Sequence, residues 1–289
     1  MIESQTEQHY KTYRPLLFSL AYRMLGSVQD AEDIVQDAYF TLSTTGTDHI
    51  QNVKAYLCKI VTNRSIDLLK SARKQRETYI GPWLPEPLLL DSKEDPAQNY
   101  VMKESLSTAY LLLLQQLSET ERAVFLLREV LQYDYETIAD VVGKSSTNCR
   151  QIFKRAKKAI GNHSPTDQPA TLKATALTEQ FVTAVVSGNV NKLLKLLAID
   201  ATLLSDGGGK TKATMVPILG AERISRFYMG IMAKTTEEFS YHFTTVNGDP
   251  GIVLYISNQV FGVLSLHIEN ELIQTIYWVV NPDKLTHIK

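Results

Sequence analysis

Cysteine is scarce in this chain of 289 residues: Cys58 and Cys149 are the only two, far apart and without a Cys or His neighbour at metal-ligand spacing. That excludes a disulfide framework and a zinc site, and no cofactor or metal is expected. Long apolar runs are missing too. The longest, residues 111–114 and 252–256, fall far short of the roughly 18 apolar residues a membrane span needs, so no membrane partner is expected. The opening residues are polar and carry Glu3 and Glu7, where a secretory leader would place a basic patch and an apolar core; the expected location is the cytoplasm. Net charge is small, with 30 basic residues against 31 acidic. The balance conceals blocks. Between Arg23 and Lys54 there is no basic residue, while Asp30, Glu32, Asp33, Asp37 and Asp48 are acidic. Between Lys144 and Lys158 there is no acid, while Arg150, Lys154, Arg155 and Lys157 add charge. Separate acidic and basic surfaces suit a chain that meets nucleic acid with one face and a protein with another.

Proline and glycine mark the joints. Gly81, Pro82, Pro85, Pro87 and Pro96 interrupt any regular element, and residues 161–169 form a second polar break. The expected division is 1–78, a Pro-rich linker at 79–98, 99–163, and 171–289. Ala31, Ile34, Val35, Ala38 and Leu42 recur at helical spacing, as do Val53, Tyr56, Leu57, Ile60 and Val61. The last block changes period. Helices are expected over 172–186 and 190–197, then strands over 241–246, 252–256, 260–268 and 272–280, with turns at 247–251 and 269–270. This predicts an α+β domain with an antiparallel sheet.

The sharpest local signal is a helix-turn-helix at residues 135–160. Ile138, Ala139 and Val142 form the apolar side of a short helix, Gly143 supplies a residue able to take positive φ, and Ser145 or Ser146 can cap a second helix. That helix places Cys149, Ile152, Phe153, Ala156 and Ile160 on its core side. Its other side carries Asn148, Arg150, Gln151, Lys154, Arg155 and Lys158, groups that pair with base edges and phosphates in a major groove. A solvated basic helix in a bundle is the alternative, and the preceding helix, glycine turn and cap weigh against it. Asp30, Asp33 and Asp37 share one face of an earlier helix. An acidic face repels DNA, so it is either solvated or docked on a basic protein. The next helix has Asn63, Arg64 and Asp67 near its middle and ends in basic residues, a mixture suited to nucleic acid.

These residues resemble the bacterial extracytoplasmic-function sigma factors. Residues 30–40, DAEDIVQDAYF, resemble the region-two helix that grips the β′ clamp helices of RNA polymerase, which implies polymerase contacts by Asp30, Glu32, Asp33, Gln36 and Asp37. Residues 55–64 and 67–70 resemble the part that captures and melts the minus-ten element, implying roles for Asn63, Arg64, Asp67, Lys70 and Arg73. Tyr56 stands where many members have tryptophan. Residues 117–122, 135–139 and 155–156 are similar to region four, which reads the minus-thirty-five element and meets the polymerase β flap; Ser146, Asn148, Arg150, Gln151, Lys154, Arg155 and Lys158 are the implied readers.

The linker motif Trp83-Leu84-Pro85-Glu86-Pro87 and the long extension are similar to the subgroup with a C-terminal SnoaL-like, nuclear-transport-factor-like cone. Its signatures are matched by Asp206-Gly207-Gly208-Gly209-Lys210 and Asn281-Pro282-Asp283-Lys284-Leu285. The resemblance implies two all-α sigma domains followed by an α+β cone that contacts the sigma domains and linker and regulates activity in cis. Promoter DNA and core RNA polymerase are the implied partners.

The glycine run beside Lys210 has a second reading, phosphate binding, but it lacks P-loop spacing. His242 and His267 lie in predicted strands without a carboxylate at known spacing, so no enzyme is expected. Cones of this kind often hold an apolar pocket, and no residue pattern here specifies a small-molecule ligand for it. Two functional classes remain open. One is a promoter-recognition subunit with a regulatory module; the other is a helix-turn-helix repressor fused to a small-molecule-binding or enzymatic domain. An acidic polymerase-facing helix is useful only to the first.

Overall fold

The computed structural model describes residues 5–47, 49–76, 78–89, 107–161, 172–235 and 238–288, with the side chains of 5, 6 and 72–76 left aside. Asp48, Pro96 and most of the break at 161–169 lie outside the described residues, as does the Arg73 side chain. The described chain falls into two compact units. The first takes residues up to 76 together with 110–161; the second takes the linker from 78 to 89, residues 107–109 and everything from 172 onward.

The first unit is helical because its apolar residues recur every three or four positions. α1 (Gln5–Leu25), α2 (Val28–Thr45) and α3 (Val53–Arg76) bury Leu17, Tyr22, Leu42 and Leu57 against one another. α4 (Thr108–Gln115) leads to α5 (Glu119–Glu129), which opens on a reciprocal capping box between Ser118 and Glu121. α6 (Tyr135–Val142) is capped by Asp134 and ends on Gly143 at φ 66°, the left-handed conformation expected there. α7 (Ser146–Ile160) is capped by Ser145 rather than Ser146 and buries Cys149, Ile152, Ala156 and Ile160. The core side of α6 differs from expectation: Ile138 and Val141 are buried, while Ala139 and Val142 are half-buried. The buried pair follows the i, i+3 ridge, not the i, i+4 one. The Arg122 guanidinium donates to the Met24 carbonyl, and Tyr133 Oη lies 3.5 Å from Cys58 Sγ. The two helical segments thus share one body.

In the second unit α8 (Leu172–Val186), α9 (Val190–Leu196) and α10 (Ala221–Met232) cover a sheet of six strands: β1 (Leu197–Asp206), β2 (Ile218–Leu219), β3 (Phe239–Val246), β4 (Asp249–Ile256), β5 (Gln259–Glu269) and β6 (Leu272–Val279). Strand order is β2-β1-β6-β5-β4-β3. The sheet is mixed, correcting the antiparallel expectation, because β1 runs parallel to β6. β1 was hidden since α9 passes into it without a glycine or proline break. The first turn is tighter than expected, with Asn247-Gly248 alone linking β3 and β4, and the second is shifted by one residue, with Asn270-Glu271 linking β5 and β6. Phe181, Leu193, Leu203, Ile224, Leu264 and Ile276 form the core.

Candidate nucleic-acid interface and linker latch

Helix α7 presents Asn148, Arg150, Gln151, Lys154, Arg155 and Lys158 as exposed side chains, with Ser146 half-buried at its start. Arg150, Gln151, Lys154 and Lys158 lie opposite the buried Cys149–Ile152–Ala156 stripe, with Asn148 and Arg155 on its flanks and Ser146 one turn before Cys149, so burial of one face forces the cationic face outward. Arg150 is the most engaged. It sits 3.6 Å from Glu136 and 5.3 Å above the Tyr135 ring, both on the preceding helix. Exposed pairs of this kind are worth about 0–1 kcal/mol, so a base or phosphate can replace them.

On α2, Ser27 Oγ accepts from the Asp30 amide at 3.2 Å, setting the start of the acidic helix. Asp33, Gln36 and Asp37 are exposed; Asp30 and Glu32 are half-buried. Arg14 holds Glu32 through two contacts at 2.7 and 3.0 Å. Arg64 of α3 pairs with Asp37, and its other nitrogen lies 3.4 Å from Thr41 Oγ1. A residue assigned to DNA thus neutralises one assigned to polymerase. Asn63 is half-buried nearby, and Lys70 pairs with Asp67 at 3.2 Å across an exposed turn of helix.

The second unit brings together the linker motif and both extension motifs. β1 ends on Asp206, whose carboxylate has no solvent exposure. Its Oδ1 accepts from Tyr79 Oη at 2.5 Å and the Gly208 amide at 3.1 Å; its Oδ2 accepts from the Leu84 amide at 2.8 Å and Lys284 Nζ at 2.7 Å. Lys284 also donates to the Leu84 carbonyl and lies over the Trp83 ring, 3.9 Å from its centroid. A buried carboxylate needs this degree of pairing. Burial and the Asp206 carboxylate push the Tyr79 hydroxyl well above its usual pKa, so it remains a donor. Asn281 caps the 3-10 turn Pro282–Lys284 and donates to Tyr79 Oη at 3.0 Å. Lys210 pairs with Asp283.

Other partners were not legible in the sequence. Asn247, at φ 51°, exchanges two hydrogen bonds with Leu88, accepting from its amide at 2.9 Å and donating to its carbonyl at 2.8 Å. His287 Nε2 lies 2.8 Å from the Pro87 carbonyl. Pro85 and Pro87 are buried, and Glu86 is half-buried. His267, read without a carboxylate, has one: its Nε2 is 3.0 Å from Glu269, two residues on along the same strand face.

Residues 9–75 match Sigma-70 region 2, and residues 107–160 match Sigma-70, region 4. The ECF RNA polymerase sigma factor SigJ of Mycobacterium tuberculosis (strain ATCC 25618 / H37Rv) is 29% identical over 294 residues, which cover 96% of this chain and 92% of SigJ. This chain is an extracytoplasmic-function sigma factor. The probable ECF RNA polymerase sigma factor SigI of Mycobacterium tuberculosis (strain CDC 1551 / Oshkosh) is 27% identical to this sigma factor over 290 residues, covering 97% of it and 94% of SigI. The crystal structure of SigJ aligns at a TM-score of 0.76 and 25% identity, over 96% of this sigma factor and 98% of that chain. Both sigma regions are helical here, and a SnoaL-like domain of mixed sheet and covering helices follows them. The sigma factor's role is promoter recognition, with core RNA polymerase and promoter DNA as its partners.

Proposed function

We propose that this sigma factor docks on the β′ clamp helices of core RNA polymerase through Asp30, Glu32, Asp33, Gln36 and Asp37 of α2, and on the β flap through region four. It acts in the cytoplasm, where polymerase is. α7 reads the minus-thirty-five element, with Arg150 and Gln151 on base edges and Lys154 and Lys158 on phosphates. Asn63, Arg64, Asp67, Lys70 and Arg73 serve the minus-ten element, where holding an unpaired base offsets an unstacking cost of a few kcal/mol. Polymerase supplies the chemistry; this chain supplies contacts and no catalysis.

The SnoaL-like domain regulates initiation in cis by gripping the linker. The observation that carries this reading is the Asp206 carboxylate, which spends its acceptors on Tyr79, Leu84, Gly208 and Lys284. Because the grip spans residues 79–89, it constrains the chain between the two promoter-reading regions. Run-off transcription with core polymerase tests both parts. The full chain should direct promoter-specific initiation, and Asp206→Ala or Trp83→Ala should change the transcript yield without changing the start site. Unchanged yield in both variants would remove the regulatory part; no promoter-specific transcript would remove the whole.

A further inference from the structure

A cavity of about 580 Å³ opens on the SnoaL-like domain between the loop after β1, the residues after α10, and strands β4 and β5. Lys210, Lys212 and Lys234 line it together with Thr211 and an apolar floor of Ile256 and Phe261. No acidic side chain is in the wall. Lys210 pairs with Asp283, while Lys212 and Lys234 are exposed and have no ion-pair partner among the described residues. Ammonium groups gathered around one concavity repel one another and focus a positive potential into it, and a bound anion relieves that repulsion. The glycine run is not itself the cradle. Its Gly208 amide is spent on Asp206, and the Lys210 and Thr211 amides both donate to the Gly207 carbonyl, at 2.9 and 3.2 Å. Recognition of an anion is therefore left to side chains. Thr235 Oγ1, also in the wall, donates to the Ile231 carbonyl at 3.0 Å, whereas Thr211 Oγ1 has no hydrogen bond among the described residues and is free to donate.

We propose that this cavity binds an organic polyphosphate of the nucleoside triphosphate class. Lys212 and Lys234 hold the phosphates, Thr211 donates to one of their oxygens, and the nucleoside packs on Ile256 and Phe261. The volume is that of a small-molecule site. Several phosphates match several ammonium groups better than a single carboxylate does, and the apolar floor favours an organic body over the bare inorganic ion. The site is made by these side chains alone and stands whether or not the linker grip regulates transcription.

Calorimetric titration of the full chain with ATP in magnesium-free buffer should give saturable one-to-one binding. Lys212→Gln and Lys234→Gln should each weaken it by roughly tenfold or more, the loss expected when a hydrogen bond to a charged group is removed. Both lysines are exposed, so neither change disturbs the core. Inorganic triphosphate, which leaves the apolar floor uncovered, should bind more weakly than ATP, and adenosine should not bind at the same concentrations. A Lys154→Gln, Lys158→Gln double variant removes cations from α7, the competing cationic cluster, and should leave ATP affinity unchanged. No saturable ATP binding would overturn the proposal. So would an affinity that falls in the α7 variant but not in Lys212→Gln or Lys234→Gln. Triphosphate binding as tightly as ATP would overturn the assignment to an organic ligand.

Discussion

Lys284 meets Asp206 at 2.7 Å with side-chain exposures of 8% and 0%, and the same ammonium covers the Trp83 ring. Two motifs 78 positions apart therefore close on a third in the linker. Removing one partner of such a pair strands the other charge, which typically costs about 3–5 kcal/mol. Asp206→Ala and Lys284→Met should each lower the stability of the SnoaL-like unit by that order in denaturant unfolding. An Asp206→Leu, Lys284→Met double variant should recover part of the loss.

Gly208 sits at φ +59°, and a Cβ there would lie 2.3 Å from Asn281 Nδ2. Gly46 has φ +76° with nothing within 4 Å of the same added atom. Gly208→Ala should thus cost clearly more than the roughly 1 kcal/mol expected from backbone strain alone, and Gly46→Ala about that amount. Thermal unfolding of both variants gives the comparison, and protease cleavage within 79–89 should rise only in Gly208→Ala.

Arg150 and Lys158 are both exposed on α7, yet their chemistry separates their roles. Arg150→Ala should cost about 1–3 kcal/mol of promoter binding and relax preference at one position of the minus-thirty-five element; Lys158→Ala should weaken all promoters alike and reduce the salt slope by about 1. Holoenzyme binding to a set of single-position promoter variants at several salt concentrations measures both.

Asp134 caps α6 by accepting from the Thr137 amide at 2.7 Å, and that bond holds its pKa below the ordinary 3.8. A carboxylate lowered in the folded state contributes stability above its unfolded pKa and loses it as pH falls through the folded value. Protection of the α6 amides against hydrogen exchange, corrected for the intrinsic pH dependence of exchange, should therefore fall as the pH drops through the lowered Asp134 value in the native chain. Asp134→Asn keeps a capping oxygen but cannot titrate, so that acid-dependent fall should flatten.

The helical regions were legible because each is governed by local rules. The stripe from Ala31 to Leu42, the Gly143 turn and the polar face of α7 follow from spacing and backbone preference alone. β1 was not, since the expected helix over 190–197 runs into it without a turn signal and no strand was expected at 198–206; those residues become a strand by pairing in parallel with β6. The linker motif and the two extension motifs were legible as motifs, while Tyr79, Asn247 and His287 were not.

The sequence by itself determined the helices, the cationic face and the acidic face, because periodicity and side-chain chemistry act over a few residues, while the two promoter-recognition regions were recognised by their resemblance to sigma factors. Only the tertiary structure decided that Asp206 would be buried against Lys284, Tyr79 and the Leu84 amide, that Arg64 would pair with Asp37, and that the Tyr228 hydroxyl and the Trp278 indole N–H would be buried without partners among the described residues. Those outcomes depend on which distant segments share a dry interior, where an unpaired charge or donor is costly, and no local pattern encodes that choice.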